Sequence, residues 1–337
     1  MKIRVIIDNG FEALETELAR HNRVFAVMDS RVASECAASH ELAELFGRRG
    51  VPGMLIEASE QTKTMDTVMD VCSWLLEQGA DRDALVLAIG GGVTSDIVGF
   101  AAAIYKRGVR SAYIPTTFLA QVDAAIGGKT GVNFNNYKNI LGVIRQPEFT
   151  YLCPQVLESL PRRDFLSGAA ELLKTFIIED GGYFDRAVQW LRGYALTQTS
   201  EDAVEYMRAG MDELSALVKA AADVKIAVVS RDQFEKGERR KLNLGHTFAH
   251  AIETLAQRKG YDITHGEAVS MGILMAAELA DAYEMRNPED GLARRLDEAF
   301  LSCGLPIGCP FRVSAMAEVM RKDKKAEDGK VHFVLPR

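Results

Sequence analysis

The residues of this chain best suited to chemistry are histidines. His246 and His250 stand four residues apart, and His265 opens a His-Gly-Glu-Ala-Val run. Residues at i and i+4 share one face of a helix, so the first two can point into the same cavity. Neutral imidazole is the commonest zinc ligand, and a catalytic zinc site usually takes three protein ligands and keeps one position open. The spacing therefore predicts a metal site built on these histidines.

A carboxylate would complete such a ligand set, and Glu171 is the candidate. It stands in an apolar helical segment, residues 169–174, where an unpaired charge would be costly. Glu171 and Lys174 are spaced i and i+3, so read alone they are better explained as an ion pair on one helix face. Each histidine alone is likewise more often structural. Only the joint arrangement favours a metal.

A run of three glycines follows a continuous apolar segment, residues 84–89, and leads through Asp96 into a helical stretch over residues 97–105. Glycines there allow backbone N–H groups to approach a pyrophosphate, and the helix N-terminus favours negative charge. The strict Gly-x-Gly-x-x-Gly fingerprint fails because Ser95 occupies the third glycine position. A simple strand–helix turn explains the motif equally well, with Asp96 as a partner of the helix dipole.

The segment 115–133 concentrates polar groups. It carries paired threonines, Asp123, two adjacent glycines and Lys129, and Lys138-Asn139 extends the string after an Asn-Asn-Tyr turn. This density suits an anionic or hydroxylated ligand. The alternative is a polar loop with a solvated lysine.

Composition excludes several classes of protein. The net charge of -7 argues against a nucleic-acid surface, which needs a broad basic footprint. Five scattered cysteines without a Cys-x-x-Cys pair favour reduced thiols. The N-terminus lacks the apolar core of a signal peptide, and the longest apolar helical stretch, residues 268–277, is too short to cross a bilayer. We therefore expect a cytoplasmic protein with no membrane partner.

The order of the segments predicts the architecture. Strand-like runs at residues 24–28, 84–89 and 112–115 alternate with helical stretches such as 64–78, and after about residue 160 long helical patterns take over. This predicts an α/β N-terminal Rossmann-like domain with a mostly parallel sheet over residues 1–158. A mainly α-helical domain that binds metal and substrate is expected over residues 159–337.

Taken together, the motifs resemble the 3-dehydroquinate synthases of the sugar phosphate cyclase family nearly end to end. The matching motifs are Gly-Gly-Gly-Val-x-x-Asp, Arg-Gly, Pro-Thr-Thr-x-Leu-Ala-Gln-Val-Asp, Gly-Gly-Lys-Thr, Lys-Asn, Ala-Glu-x-x-Lys, Leu-Asn-Leu-Gly-His-Thr-Phe and His-Gly-Glu-Ala-Val. The resemblance implies that Glu171, His246 and His265 bind Zn²⁺ (or Co²⁺), and it assigns His250 to the substrate instead of the metal.

The resemblance also implies one bound NAD. Its contacts transfer to Asp29, Glu60, Lys63, Gly90, Gly91, Gly92, Val93, Thr94, Ser95, Asp96, Thr116, Thr117, Lys129, Lys138 and Leu157. The family's Asp-Gly before the glutamate is replaced here by Ala58-Ser59, which weakens the assignment of Glu60. Substrate contacts and catalytic roles transfer to Asp123, Lys129, Asn139, Lys174, Lys225, Arg239, Asn243, His250, Arg107, and Lys324 or Lys325.

The implied reaction converts a seven-carbon sugar acid phosphate, 3-deoxy-D-arabino-heptulosonate 7-phosphate, to 3-dehydroquinate and phosphate. The implied assembly is a homodimer in which Arg107 reaches the neighbour's site. Two alternatives stay open. One is a sister cyclase of the valiolone or inosose type, whose substrate lacks the carboxylate. The other is a metal-dependent polyol or glycerol-phosphate dehydrogenase, which shares the glycine turn and a histidine-bearing helical domain.

Overall fold

A computed structural model describes residues 3–135, 137–179, 181–283, 291–323 and 331–336. The described part of the chain divides into two compact units. The first comprises Met1–Pro161 and Met211–Gln233, and the second comprises Arg162–Gly210 and Phe234–Arg337. The first division falls between Pro161 and Arg162. The segment 211–233, which the sequence placed in the helical domain, instead clusters with the first unit.

All strands of the described residues lie in the first unit. They are β1 Val5–Ile7, β2 Val24–Asp29, β3 Gly53–Ile56, β4 Leu85–Gly90, β5 Arg110–Pro115, β6 Lys129–Phe134, β7 Tyr137–Ile144 and β8 Thr150–Leu152. Among the described residues, six of them form a parallel sheet in the order β1-β8-β5-β4-β2-β3. Every residue of the central strand β4 is buried, as expected for a parallel strand covered on both faces.

The helices of the first unit are α1 Glu12–Leu18, α2 Ser30–Glu35, α3 Ser39–Arg49, α4 Met65–Glu77, α5 Gly92–Ile104 and α9 Met211–Arg231. Helix α4 begins after Thr64, whose side chain accepts a hydrogen bond from the backbone N–H of Thr67 and so caps the helix. Helix α5 begins at Gly92, five residues earlier than the sequence predicted. The residues after the glycine turn therefore form the first turn of a helix.

The polar segment around Lys129 and Lys138 forms strands. β6 and β7 pair as an antiparallel hairpin, with a register break between Val132 and Phe134. From the sequence, this segment was predicted only as a stretch of polar residues and not as strands, because its alternation of apolar residues is short and interrupted. The Rossmann-like fold with a mostly parallel sheet is confirmed, and this hairpin is an addition to it.

In its described part, the second unit contains helices joined by loops and no strand. Its helices are α6 Arg162–Ile178, α7 Phe184–Ala195, α8 Ser200–Ala209, α10 His246–Lys259, α11 His265–Ala282, α12 Leu292–Ser302 and α13 Val313–Asp323. Helix α11 opens with a capping box, in which Thr264 and Glu267 satisfy each other's backbone N–H groups. None of the helices in the described ranges is both long enough and apolar enough to span a bilayer.

Candidate active site

Three side chains of the second unit face one another where helices α6, α10 and α11 meet. Glu171 lies inside α6, while His246 and His265 are the first residues of α10 and α11. Oε1 of Glu171 lies 3.5 Å from Nε2 of His246 and 3.3 Å from Nε2 of His265. Among the described residues, one ligand atom from each of these three side chains lies within 4.8 Å of the others. The group can therefore hold a metal ion.

The outer nitrogen of each imidazole has its own partner. Nδ1 of His246 lies 3.1 Å from the carbonyl oxygen of Leu244, and Nδ1 of His265 lies 3.5 Å from Oε1 of Glu253. A histidine that donates its Nδ1–H to an oxygen presents the lone pair of Nε2 toward a metal. Both Nε2 atoms, together with the carboxylate, therefore offer the nitrogen and oxygen donors that zinc prefers.

The charges of this cluster depend on its burial. Glu171 is fully buried, and burial alone would raise its pKa. The ammonium of Lys174, together with His265 and His246, outweighs that effect and keeps the pKa well below its ordinary value. Burial lowers the pKa of His246 to about 3, so this ring is neutral. Burial also disfavours charge on His265, but hydrogen bonds with Glu171 and Glu253 raise its pKa to about 10. A positive charge beside Glu171 is therefore stabilised.

Two glycines allow these helices to approach closely. A Cβ on Gly266 would lie 2.0 Å from the backbone oxygen of Ser167, and a Cβ on Gly245 would lie 2.7 Å from the backbone nitrogen of Ile273. Gly245 also has φ 76°, a conformation that glycine adopts without strain. The glycines beside His246 and His265 therefore allow the two imidazoles to reach Glu171.

His250 lies on the same helix face as His246 but outside this group. Its ring centroid is 5.6 Å from that of His246, and the residue is exposed. The second imidazole facing Glu171 therefore comes from the start of α11 and not from the next turn of α10. The assignment of His250 to the substrate stays a prediction.

In the first unit, the glycine turn lies at the edge where parallel strands end. β2, β4 and β5 end at Asp29, Gly90 and Pro115, and Gly90 is paired with Pro115. The turn is tightly packed, since a Cβ on Gly90 would lie 2.2 Å from Oγ1 of Thr94. That buried Thr94 hydroxyl has no hydrogen-bond partner among the described residues. Open sheets of this kind bind ligands at this edge.

A second polar cluster of the first unit centres on Lys63. Its ammonium lies 2.5 Å from Oδ2 of Asp96 and 2.6 Å from Oδ1 of Asn139. Lys63 is buried, so both contacts form in a poorly solvated environment. The sequence placed these residues in separate motifs, and their contact follows from the fold of the β6–β7 hairpin.

Asp96 should make the stability of the protein depend on pH. Burial raises the pKa of its carboxyl from 3.8 to about 6, and the attraction of Lys63 only partly offsets this. Because the folded protein then binds an extra proton between those values, the contribution of Asp96 to stability falls as pH rises through them. The free energy of unfolding of the parent protein, minus that of Asp96→Asn, should fall by about 1–3 kcal/mol from about pH 4 to pH 7. Urea unfolding across this range tests it, and a difference that is constant or rises with pH contradicts it.

Lys225 and Asp123 form another pair in the first unit. The ammonium of Lys225, on helix α9, lies 2.5 Å from Oδ1 of Asp123 and also bonds the backbone oxygen of Asp123. Nearby, the buried Gln121 amide donates to the carbonyl oxygens of Pro115 and Cys153, at 3.1 and 2.9 Å. Gln121 thus ties the end of β5 to the segment after β8, a role that the sequence did not assign.

The remaining predicted site residues lie in varied environments. Asp29 accepts a hydrogen bond from the backbone N–H of Arg31 and caps α2, and Leu157 is fully buried. Arg239 is buried, and Nδ2 of Asn243 donates to Oε1 of Glu235 at 2.6 Å. Thr116 is buried and Thr117 is half-buried. Four further residues are exposed: Glu60, Arg107, Lys129 and Lys138. Lys324 and Lys325 lie outside the described residues.

Solved structures define the class of protein first. A 2-epi-5-epi-valiolone synthase from Streptomyces hygroscopicus, solved with NAD⁺ and Zn²⁺, matches with a TM-score of 0.85 at 29% identity, covering 100% of this chain and 90% of that one. A 2-deoxy-scyllo-inosose synthase complexed with carbaglucose-6-phosphate, NAD⁺ and Co²⁺ matches with 0.76 at 25% identity, covering 96% and 86%. An iron-containing alcohol dehydrogenase, at 16% identity, shares the fold with a TM-score of 0.68 over 99% of this chain and 93% of that one. The fold is that of the sugar phosphate cyclases and iron-type dehydrogenases.

Sequence comparisons narrow the class to one family. Residues 53–167 match the model of the 3-dehydroquinate synthase N-terminal domain, and residues 168–326 match that of the C-terminal domain. A 3-dehydroquinate synthase of Idiomarina loihiensis is 38% identical, covering 98% of this chain and 87% of that protein. One from Acidithiobacillus ferrooxidans is 41% identical, covering 84% and 74%. The chain belongs to the 3-dehydroquinate synthase family.

Proposed function

We propose that this protein converts 3-deoxy-D-arabino-heptulosonate 7-phosphate to 3-dehydroquinate and phosphate. The observation that carries the proposal is the buried carboxylate of Glu171 facing Nε2 of two histidines, in a chain of this family. In the reaction, the substrate is oxidised at one carbinol, loses phosphate and is reduced again. It then opens its ring and closes a carbocycle by intramolecular aldol addition, so no net oxidation remains.

The residues present fit the two cofactors that this chemistry needs. Glu171, His246 and His265 supply a donor set suited to Zn²⁺ or Co²⁺, and the crowded turn at Gly90 with its unbonded Thr94 hydroxyl suits the pyrophosphate of NAD. When bound, NAD accepts and returns a hydride, and the metal acts as a Lewis acid on the carbinol oxygen. Glu60, Lys63 and the residues that follow the turn complete the proposed NAD contacts.

The basic and polar side chains of the chain would bind the anionic substrate. We assign this role to Lys129, Asn139, Lys174, Lys225, Arg239 and Asn243, with Asp123 holding the ammonium of Lys225 in place. Cationic and amide groups neutralise carboxylate and phosphate, and a fixed geometry lowers the entropic part of the barrier. The exposed imidazole of His250 is a suitable proton carrier. The leaving phosphate can itself act as a base.

The main competing function is that of a valiolone-type cyclase, and the 29% identity to such an enzyme favours it as second candidate. Identities of 38–41% to 3-dehydroquinate synthases favour the carboxylate-bearing substrate. The test is incubation with NAD⁺, Zn²⁺ and either the heptulosonate phosphate or sedoheptulose 7-phosphate. We expect phosphate release and 3-dehydroquinate from the first substrate. Release from the second substrate alone would overturn the proposal.

The same assay separates a cyclase from a dehydrogenase. A cyclase re-reduces its substrate, so NADH should not accumulate beyond the amount of enzyme. A polyol or glycerol-phosphate dehydrogenase would instead form NADH in proportion to product. Absorbance of NADH followed during the assay therefore decides between the two classes.

Glu253 should act on the metal through His265. Its carboxylate lies 3.5 Å from Nδ1 of that ring. Partners of this kind fix the ring orientation, and their loss typically costs about 10–100-fold in metal affinity. We expect Glu253→Gln to weaken Zn²⁺ binding within that range, measured by competition with a chelating dye. Unchanged Zn²⁺ affinity would contradict this role for Glu253.

Further expectations belong to the proposal. We place the protein in the cytoplasm, as a homodimer that binds no nucleic acid. Arg107, which is exposed and has φ 67°, would reach the site of the neighbouring copy. Sedimentation of the purified protein tests the dimer.

A further inference from the structure

Asn133 lies where the β6–β7 ladder is interrupted. The register between the two strands shifts between Val132 and Phe134, so Asn133 has no regular cross-strand partner. The extra residues of this irregularity lie on β7, where residues 138–140 stand opposite Asn133, and an irregularity of this kind can aim a side chain in a new direction. Here the backbone N–H of Asn133 leaves the hairpin and donates to the carbonyl oxygen of Lys63, at 2.9 Å.

The side chain of Asn133 bonds in two directions. Its amide nitrogen donates to Oε2 of Glu60 at 3.0 Å and to the carbonyl oxygen of Glu60 at 3.2 Å. Its amide oxygen accepts the backbone N–H of Asn139 at 2.9 Å. Since an amide has both donors and an acceptor, this one side chain joins the segment that carries Glu60 and Lys63 to strand β7.

The bond to Asn139 supports an unusual backbone conformation. Asn139 has φ 54°, in the left-handed region that residues other than glycine rarely adopt, although asparagine tolerates it better than most. In this conformation its side-chain oxygen lies 2.6 Å from the ammonium of Lys63. If the hydrogen bond from the backbone N–H of Asn139 to Asn133 were lost, the backbone of Asn139 would relax. The side chain of Asn139 would then move away from Lys63.

We propose that Asn133 is a positioning residue. It holds in place both the NAD-binding pair Glu60 and Lys63 and the substrate-binding Asn139. This inference rests on the proposed function, which assigns those three residues to NAD and substrate. Asn133 touches neither ligand in the proposal. It couples the two sets of contacts through one amide.

Two substitutions separate the hydrogen bonds that the Asn133 amide makes to Glu60 from the one it makes to Asn139. Asn133→Ala removes both, so the Kd of NAD⁺ and the KM of the sugar phosphate should each rise about tenfold, as loss of one or two hydrogen bonds allows. Asn133→Asp keeps an oxygen for the N–H of Asn139 but places a carboxylate against Glu60. It should raise the Kd of NAD⁺ about tenfold and leave the KM within about twofold. Calorimetric NAD⁺ titration and steady-state kinetics measure both quantities.

The control is Asn135→Gly, on the same hairpin. Asn135 has φ 48°, which glycine adopts readily, so the hairpin and both constants should be unchanged. A purely structural role for Asn133 would lower the thermal unfolding midpoint and the active fraction in both variants without separating Kd from KM. That result, or unchanged constants in Asn133→Ala, overturns the inference alone. A parent protein that binds no NAD⁺ overturns both this inference and the proposed function.

Discussion

His265→Ala is expected to lose its bound metal and at least about a hundredfold in kcat/KM, because loss of a direct ligand exceeds the usual 10–100-fold cost of losing an outer partner. The imidazole of His265 lies 3.3 Å from Glu171 and half-exposed at the start of α11, so its removal creates no large cavity in the core. Metal content by elemental analysis and 3-dehydroquinate formation measure the effect. The NAD-binding unit should keep its affinity for NAD⁺.

His250→Ala is the matched control, since it removes a neighbouring imidazole, one turn after His246 on α10. His250 stands outside the group that faces Glu171, so this variant should keep a full complement of metal while losing activity. The pair of variants tests the ligand set directly. A metal-free His250→Ala protein, or full activity in a metal-free His265→Ala protein, would refute the set Glu171, His246 and His265.

The histidine cluster shows what local spacing can predict. Periodicity correctly indicated that His246 and His250 share a helix face, because that relation depends only on helical geometry. It could not indicate which of them faces Glu171, since that depends on how α6, α10 and α11 pack. The two glycines beside His246 and His265 were a usable signal, because each allows a close helix contact.

The fold was predictable where the pattern of apolar residues in a segment reflects how that segment is buried. The continuous apolar run at β4 and the amphipathic helix α4 were recognised because burial on two faces, or on one stripe, fixes the pattern. The β6–β7 hairpin was not recognised, since its apolar alternation is short and interrupted, and large apolar residues such as Tyr137 and Ile140 are exposed in it. The Lys63–Asn139 contact depends on that hairpin and could not be predicted without it.

Helix α9 shows a different limit. Its sequence is plainly helical, and the sequence predicted a helix in this region. Its assignment to the first unit follows from contacts with β1 and with the turns at Ala120–Ala124 and Pro154–Ser159, which are distant in sequence. Lys225 on this helix therefore meets Asp123, a pairing that no local pattern contains.

Lys174→Met is expected to lower the free energy of unfolding of the metal-free protein by about 3–5 kcal/mol, the usual cost of leaving one member of a buried ion pair without its partner. Lys174 and Glu171 are spaced i and i+3 on α6 and are 1% and 0% exposed, so no solvent replaces the lost ammonium. Methionine keeps the length and apolar stem of lysine, which limits the cavity. Denaturant unfolding of protein treated with a chelator measures the change.

A metal ion should rescue this variant, because a divalent cation beside Glu171 supplies the missing positive charge. Zn²⁺ is therefore expected to stabilise Lys174→Met more than the parent protein, in which the ammonium and the cation repel each other. Lys322→Met is the control: it breaks the exposed pair with Glu318 on α13 and should leave the free energy of unfolding nearly unchanged, with or without Zn²⁺. Equal stabilisation of the parent and Lys174→Met by Zn²⁺ would mean that the cation does not lie beside Glu171.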